Sequence, residues 1–150
     1  MRRAVVLVIA ASALLSCSGA PKPVAVSDSD ACAFCRMAVS DKHFAAELVA
    51  PGEEPRIYDD IGCLVSDLVQ HPAPGEAVAF VADHRTGDWI AAPDAIYTRV
   101  PELSTPMGSH IIAHMSPASR DADAAARSGV PLSSTDVFGP AGPPGASRGR

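Results

Sequence analysis

Ala77-Val-Ala-Phe-Val-Ala-Asp83 and Asp88-Trp89-Ile-Ala-Ala92 are two apolar runs separated by His84-Arg85-Thr86-Gly87, and their reading sets the fold class. The first run is long enough for a buried strand, and Arg85-Thr86-Gly87 supplies the turn that brings the second back beside it. An antiparallel pair is therefore expected at the centre. Upstream, Ile61, Leu64, Val65, Leu68 and Val69 recur at helical spacing, which predicts a helix over 61–70, stopped by His71-Pro72. Arg56–Tyr58 reads as a short strand after the loop Pro51-Gly-Glu-Glu-Pro55. Met37–Ser40 and Phe44–Ala50 alternate as strands around the Asp41-Lys42-His43 turn. Downstream, Ala95–Val100 and Ser109–Met115 read as strands, Ala118–Arg127 as an Ala-rich helix, and Val130–Phe138 as a last strand. Short strands interleaved with two helices predict a small single α+β domain, mostly antiparallel, flanked by a disordered N-terminal tether and C-terminal tail.

The two ends carry different signals. Arg2 and Arg3 precede the uncharged apolar run Ala4–Leu15, too short to span a bilayer as a helix, so residues 1–16 read as an export signal. The run ends in Leu14-Leu15-Ser16-Cys17, which resembles a bacterial lipobox. Cleavage before Cys17 and thioether linkage of its thiol to diacylglycerol, with palmitate-class chains, would anchor the protein to a membrane from the extracytoplasmic side, the periplasmic side in a cell with two membranes. Residues 17–29 are Pro- and Ser-containing and read as a lipidated tether; residues 139–150, rich in Pro and Gly, read as a disordered tail. Residues 30–138 remain as one domain with a modest core of Ala, Val, Ile and Leu. The chain has 12 basic against 17 acidic residues, a net charge of −5, and loss of Arg2 and Arg3 makes it −7. An acidic surface without basic stripes excludes nucleic-acid binding.

Chemistry concentrates in Cys32-Ala-Phe-Cys35-Arg36-Met37, where two thiols and a thioether fall within six residues, and in the later Thr105-Pro106-Met107-Gly108. Thiolates and thioethers are soft donors whose preferred biological partner is Cu(I). On a strand, Cys35 and Met37 would share a face. With Cys17 lipidated, Cys32, Cys35 and Cys63 are an odd set. Cys32 and Cys35 form either a disulfide or metal ligands. Cys63, at the expected helix start, is either a thiol of lowered pKa or a small buried apolar residue. Asp59 and Asp60 are expected to cap the helix rather than to bind a hard metal. Among the histidines, His71 and His84 lie at element ends and read as solvated. His43 sits in a turn near the cysteines. His110, close to Met107, is the leading candidate for an additional ligand, while His110 and His114 on one strand stand too far apart to share an ion. The chain carries no nucleophile elbow, phosphate-cradling loop or supported acid pair, so a binding protein rather than an enzyme is expected.

The order of these segments resembles the NosL family: lipobox, Cys32-Ala-Phe-Cys35-Arg36-Met37, Tyr58-Asp59-Asp60 before a helix, Asp88-Trp89, and Thr105-Pro106-Met107-Gly108-Ser109. The resemblance implies an exported copper-binding lipoprotein that serves as a Cu(I) chaperone in the maturation of nitrous-oxide reductase. It implies Cu(I) ligation by Cys35, Met37 and Met107, with Cys32 less firmly transferred. Nitrous-oxide reductase or its assembly machinery is then the implied partner. Two other readings stay open: a thiol–disulfide oxidoreductase using Cys32 and Cys35, and a lipoprotein in which these cysteines form only a structural disulfide.

Overall fold

A computed structural model describes residues 19–145, so the expected signal segment and Cys17 lie outside the described residues. Among the described residues, seven strands run in two antiparallel sheets. β1 (Ala46–Val49), β2 (Arg56–Tyr58), β3 (Val78–Ala82) and β4 (Trp89–Ala91) form one, in the order β2-β1-β3-β4. β5 (Ile96–Arg99), β6 (Ile111–His114) and β7 (Val130–Leu132) form the other, in the order β6-β5-β7. The β3–β4 pair is the hairpin expected from its turn, with Val81 opposite Ile90. A parallel bridge between Asp83 and Ala113 joins the end of β3 to β6 and so couples the two sheets.

Helix α1 (Ile61–Gln70) fills the angle between the sheets. It starts where Asp60, in extended backbone, accepts a hydrogen bond from the Gly62 N–H. Ile61, Cys63 and Leu64 are buried, whereas Val69, on the same apolar list in the sequence, is 79% exposed. Burying Leu64 alone contributes about 2 kcal/mol. Asp67 then pins the helix to β2: it accepts from the Tyr58 hydroxyl at 2.6 Å and from Arg56 at 2.7 Å. Burial opposes the charge on Asp67, but hydrogen bonds from Tyr58, His71 and Arg56 hold its carboxyl below the usual range.

The structure departs from the sequence reading in three places. Met37–Ser40 is not a strand; one isolated bridge, Ala31 with Ala38, closes a small hairpin around the cysteines. The helix over 118–127 splits into α2 (Pro117–Ala122) and a 3-10 turn (Ala124–Ser128), because Asp123 breaks off to cap the second piece through Ala125 N–H. Only Val130–Leu132 of the last segment is strand. A capping box between Ser133 and Asp136 starts a third helix, α3 (Ser134–Phe138).

Contacts also extend past the expected limits of the domain. Val24 N–H donates to Glu47 Oε2 at 3.0 Å, and the Trp89 indole donates to the Val24 carbonyl at 3.1 Å. At the other end, Ala79 N–H donates to the Pro144 carbonyl at 3.1 Å, so residues from the tail lie along β3 beyond the end of β4. Among the described residues no helix is long and apolar enough to cross a membrane.

Candidate metal centre

Residues 30–39 form the cradle of the site. Cys32 N–H donates to the Met37 carbonyl at 2.8 Å and Val39 N–H to the Asp30 carbonyl at 2.9 Å, which closes the hairpin. Arg36 turns the corner with φ of 67°. Ala33 N–H reaches the Ile57 carbonyl at 2.7 Å, fastening the turn to β2. Cys32 is thereby carried into the core, fully buried, while Cys35 stays partly exposed. The Cys-x-x-Cys stretch is thus a hairpin turn, not the first turn of a helix.

The start of α1 supplies the other wall. Cys32, Cys35, Asp59 and Cys63 each bring one ligand atom into a group whose members all lie within 4.8 Å of one another. All three cysteines are free thiols. The Cys35 thiol donates to Asp59 Oδ2 at 3.3 Å, and Cys35 N–H contacts the Cys32 sulfur at 3.5 Å. Asp59 Oδ1 is buried with no partner. A carboxylate oxygen held dry without a donor is costly unless a cation or an added donor completes it.

Burial raises the Cys35 thiol to about 11, with the hydrogen bonds to Cys32 and Asp59 adding to the effect. Burial and Asp59 also push Cys63 upward, the reverse of the lowered value that a helix start suggested. Both thiols are therefore protonated near neutrality, and a metal must displace their protons to bind them.

The two adjacent aspartates divide the work. Asp59 faces the sulfurs. Asp60 accepts from Gly62 N–H at 2.6 Å through Oδ1, and from the Thr105 hydroxyl at 2.6 Å and Met107 N–H at 3.0 Å through Oδ2. One carboxylate thus ties the Met107 loop to the helix end that carries Cys63. The loop presses close: a Cβ on Gly62 would stand 2.8 Å from the Ser109 Cβ, so only glycine fits there.

Met37 is 56% exposed and Met107 44% exposed, so neither is core filler. Met37 is anchored through its backbone to Cys32 of the group, and Met107 to Asp60, the neighbour of Asp59 outside it. His110 lies outside the group. It adopts a left-handed φ of 58° and its Nδ1–H donates to the Leu103 carbonyl at 2.8 Å, which turns the ring to the far end of its own loop. Asp59 was hidden at the level of sequence, because capping accounts for an acidic pair before a helix. Its separation from Asp60 emerges only when the cysteine hairpin packs against it.

No curated protein and no solved structure matches the chain. The family model NosL matches residues 23–138, well over half of the 150 residues and the whole of the hairpin, helix and methionine loop just described. The chain belongs to the NosL family.

Proposed function

We propose that this protein is a membrane-anchored, extracytoplasmic Cu(I) chaperone that delivers copper during the maturation of nitrous-oxide reductase. The observation that carries the reading is the convergence of three free thiols and the unpartnered Asp59 oxygen, with two exposed thioethers fixed to the same scaffold. Copper is cargo here, not a resident cofactor, and the protein is a carrier rather than a catalyst. Cys35, partly exposed, offers the entry thiol; its proton leaves to solvent as sulfur takes the ion. Met37 and Met107 are neutral donors that bind more weakly than thiolates. They would shield the ion from water yet yield to a ligand from a recipient, which is the balance a carrier needs. Lipidation at Cys17 would keep the carrier at the membrane surface where its recipient is assembled.

The oxidoreductase alternative loses its structural support because a redox Cys-x-x-Cys normally opens a helix, where the first cysteine is exposed and activated. Here Cys32 is buried in a hairpin and burial makes Cys35 a poor nucleophile. Asp59 does add a harder donor, so Zn(II) is the competitor to test. Incubation of the Cu(I)-loaded soluble domain with copper-free nitrous-oxide reductase tests the function. Transfer of copper to the enzyme, with less copper retained and delivered by Met107→Ala, supports it. Retention of copper by the domain, or transfer no faster than from free Cu(I) buffered at the same level, overturns it.

A further inference from the structure

A second convergence of ligand atoms lies outside the sulfur group, and the NosL assignment does not account for it. His84 follows β3, His114 ends β6, and Asp123 stands between α2 and the 3-10 turn. The backbone brings the two histidines together: the Asp83–Ala113 bridge and the His84 N–H bond to the Ala113 carbonyl, at 2.9 Å, clamp the ends of β3 and β6 side by side. Their rings meet edge to face with centroids 6.3 Å apart. His84 Nδ1 at 2.6 Å and His114 Nε2 at 2.9 Å both address the same atom, Asp123 Oδ2. Asp123 Oδ1 is occupied by Ala125 N–H, which fixes the carboxylate with Oδ2 toward the imidazoles.

Burial makes this arrangement expensive as a purely structural device. His114 is fully buried, and among the described residues its Nδ1 has no partner. With Nε2–H donating to Asp123, Nδ1 is left as a bare acceptor, and an orphan of this kind costs about 1–3 kcal/mol. The only polar contact of that ring is the shared oxygen, where a second imidazole already donates. Two nitrogens and one carboxylate oxygen within 4.8 Å of one another form a ligand set, and each neutral imidazole offers its lone pair to a divalent ion once the proton on the facing nitrogen moves to the other ring nitrogen. Bonds of about 2.0–2.2 Å would place tetrahedral ligands roughly 3.3 Å apart, so the two nitrogen–oxygen distances need lengthen by less than about 1 Å.

We propose that His84, His114 and Asp123 form a second metal site, for a borderline divalent cation of the Zn(II) class, separate in chemistry from the soft sulfur site. Two imidazoles and a carboxylate suit Zn(II) or Cu(II) rather than Cu(I). A fourth position is left to water or to His43. The His43 ring centroid lies 6.5 Å from that of His84, and its Nδ1 is engaged by the His84 carbonyl, so its Nε2 is available. His84 is the least buried of the three side chains and marks the route of entry. This inference stands apart from the copper reading and survives its failure.

The test is a Zn(II) titration of the reduced protein labelled with nitrogen-15 in histidine, following the ring nitrogens of all five histidines. The expected result is a saturable shift of His84 Nδ1 and His114 Nε2, with His71 and His110 unmoved. Asp123→Asn, which retains the oxygen for capping Ala125, weakens that event by about tenfold or more. His84→Gln, at the more accessible ligand, does the same and serves where the aspartate variant folds poorly. Zn(II) taken up by the cysteines alone, or a histidine response unchanged in both variants, overturns the proposal.

Discussion

Replacing Asp60 by alanine is the perturbation that reaches deepest into the architecture of the candidate metal centre. The carboxylate accepts three hydrogen bonds, from Gly62 N–H at 2.6 Å, the Thr105 hydroxyl at 2.6 Å and Met107 N–H at 3.0 Å, in a residue only 1% exposed. Loss of an N-cap costs about 1 kcal/mol. Each hydrogen bond to a charged acceptor contributes about 1.5–3 kcal/mol, and bonds sharing one carboxylate do not add fully. The expected loss for Asp60→Ala is therefore about 3–5 kcal/mol. Asp60→Asn keeps the cap through its oxygen but turns its amide NH2 on both Thr105 and Met107, and the expected loss is about 1–3 kcal/mol. Urea unfolding of the soluble domain reads both values as shifts in midpoint at constant slope. Hydrogen exchange reports the second half of the argument: the Met107 amide, protected in the parent, exchanges faster in Asp60→Ala. A loss below about 1 kcal/mol, or a Met107 amide protected as before, would refute the reasoning that one carboxylate joins the loop to the helix.

Two further perturbations follow from buried groups. Burial raises the Glu47 carboxyl from 4.5 to about 7, against the pull of Val24 N–H. The folded state then holds a proton that the unfolded state releases, so stability falls as pH rises from about 4.5 to 7 and levels off above. Glu47→Gln removes that slope and raises stability at pH 8 by up to about 3 kcal/mol, read from unfolding midpoints across pH. A parallel pH profile for parent and variant would contradict this. Gly62→Ala gains up to about 1 kcal/mol of helix propensity but drives a Cβ to 2.8 Å from Ser109, and overpacking at about 1–3 kcal/mol wins. The variant is destabilised, and adding Ser109→Gly recovers the loss in a thermal melt; failure of that rescue would locate the strain elsewhere.

Local signals made much of the fold legible. The spacing of Ile61, Leu64, Val65 and Leu68, with an aspartate before and His71-Pro72 after, gave helix α1 with its observed bounds. The Arg85-Thr86-Gly87 turn gave the β3–β4 hairpin. Two of the three misses share a cause: a short polar side chain that captures the backbone. Ser133 and Asp136 cap a helix where β-branched and apolar residues suggested a strand, and Asp123 interrupts an Ala-rich helix to cap Ala125.

The site divides along the same line. Cys32, Cys35, Met37 and Met107 announce themselves by element and spacing. The partition of Asp59 from Asp60, and the meeting of His84 with Asp123, exist only after segments 24 to 39 residues apart have packed together. His84, taken from sequence as a solvated end-of-strand residue, has a side chain only 15% exposed.

Titration of the reduced soluble domain with Cu(I) against a competing chelator tests the central claim most directly, with Cys35→Ser and Met107→Ala run beside it. One tightly held equivalent is expected, with affinity lowered about tenfold or more in each variant while both remain folded. Cu(I) held no better than by the chelator, or held equally well without Cys35 and Met107, would contradict it.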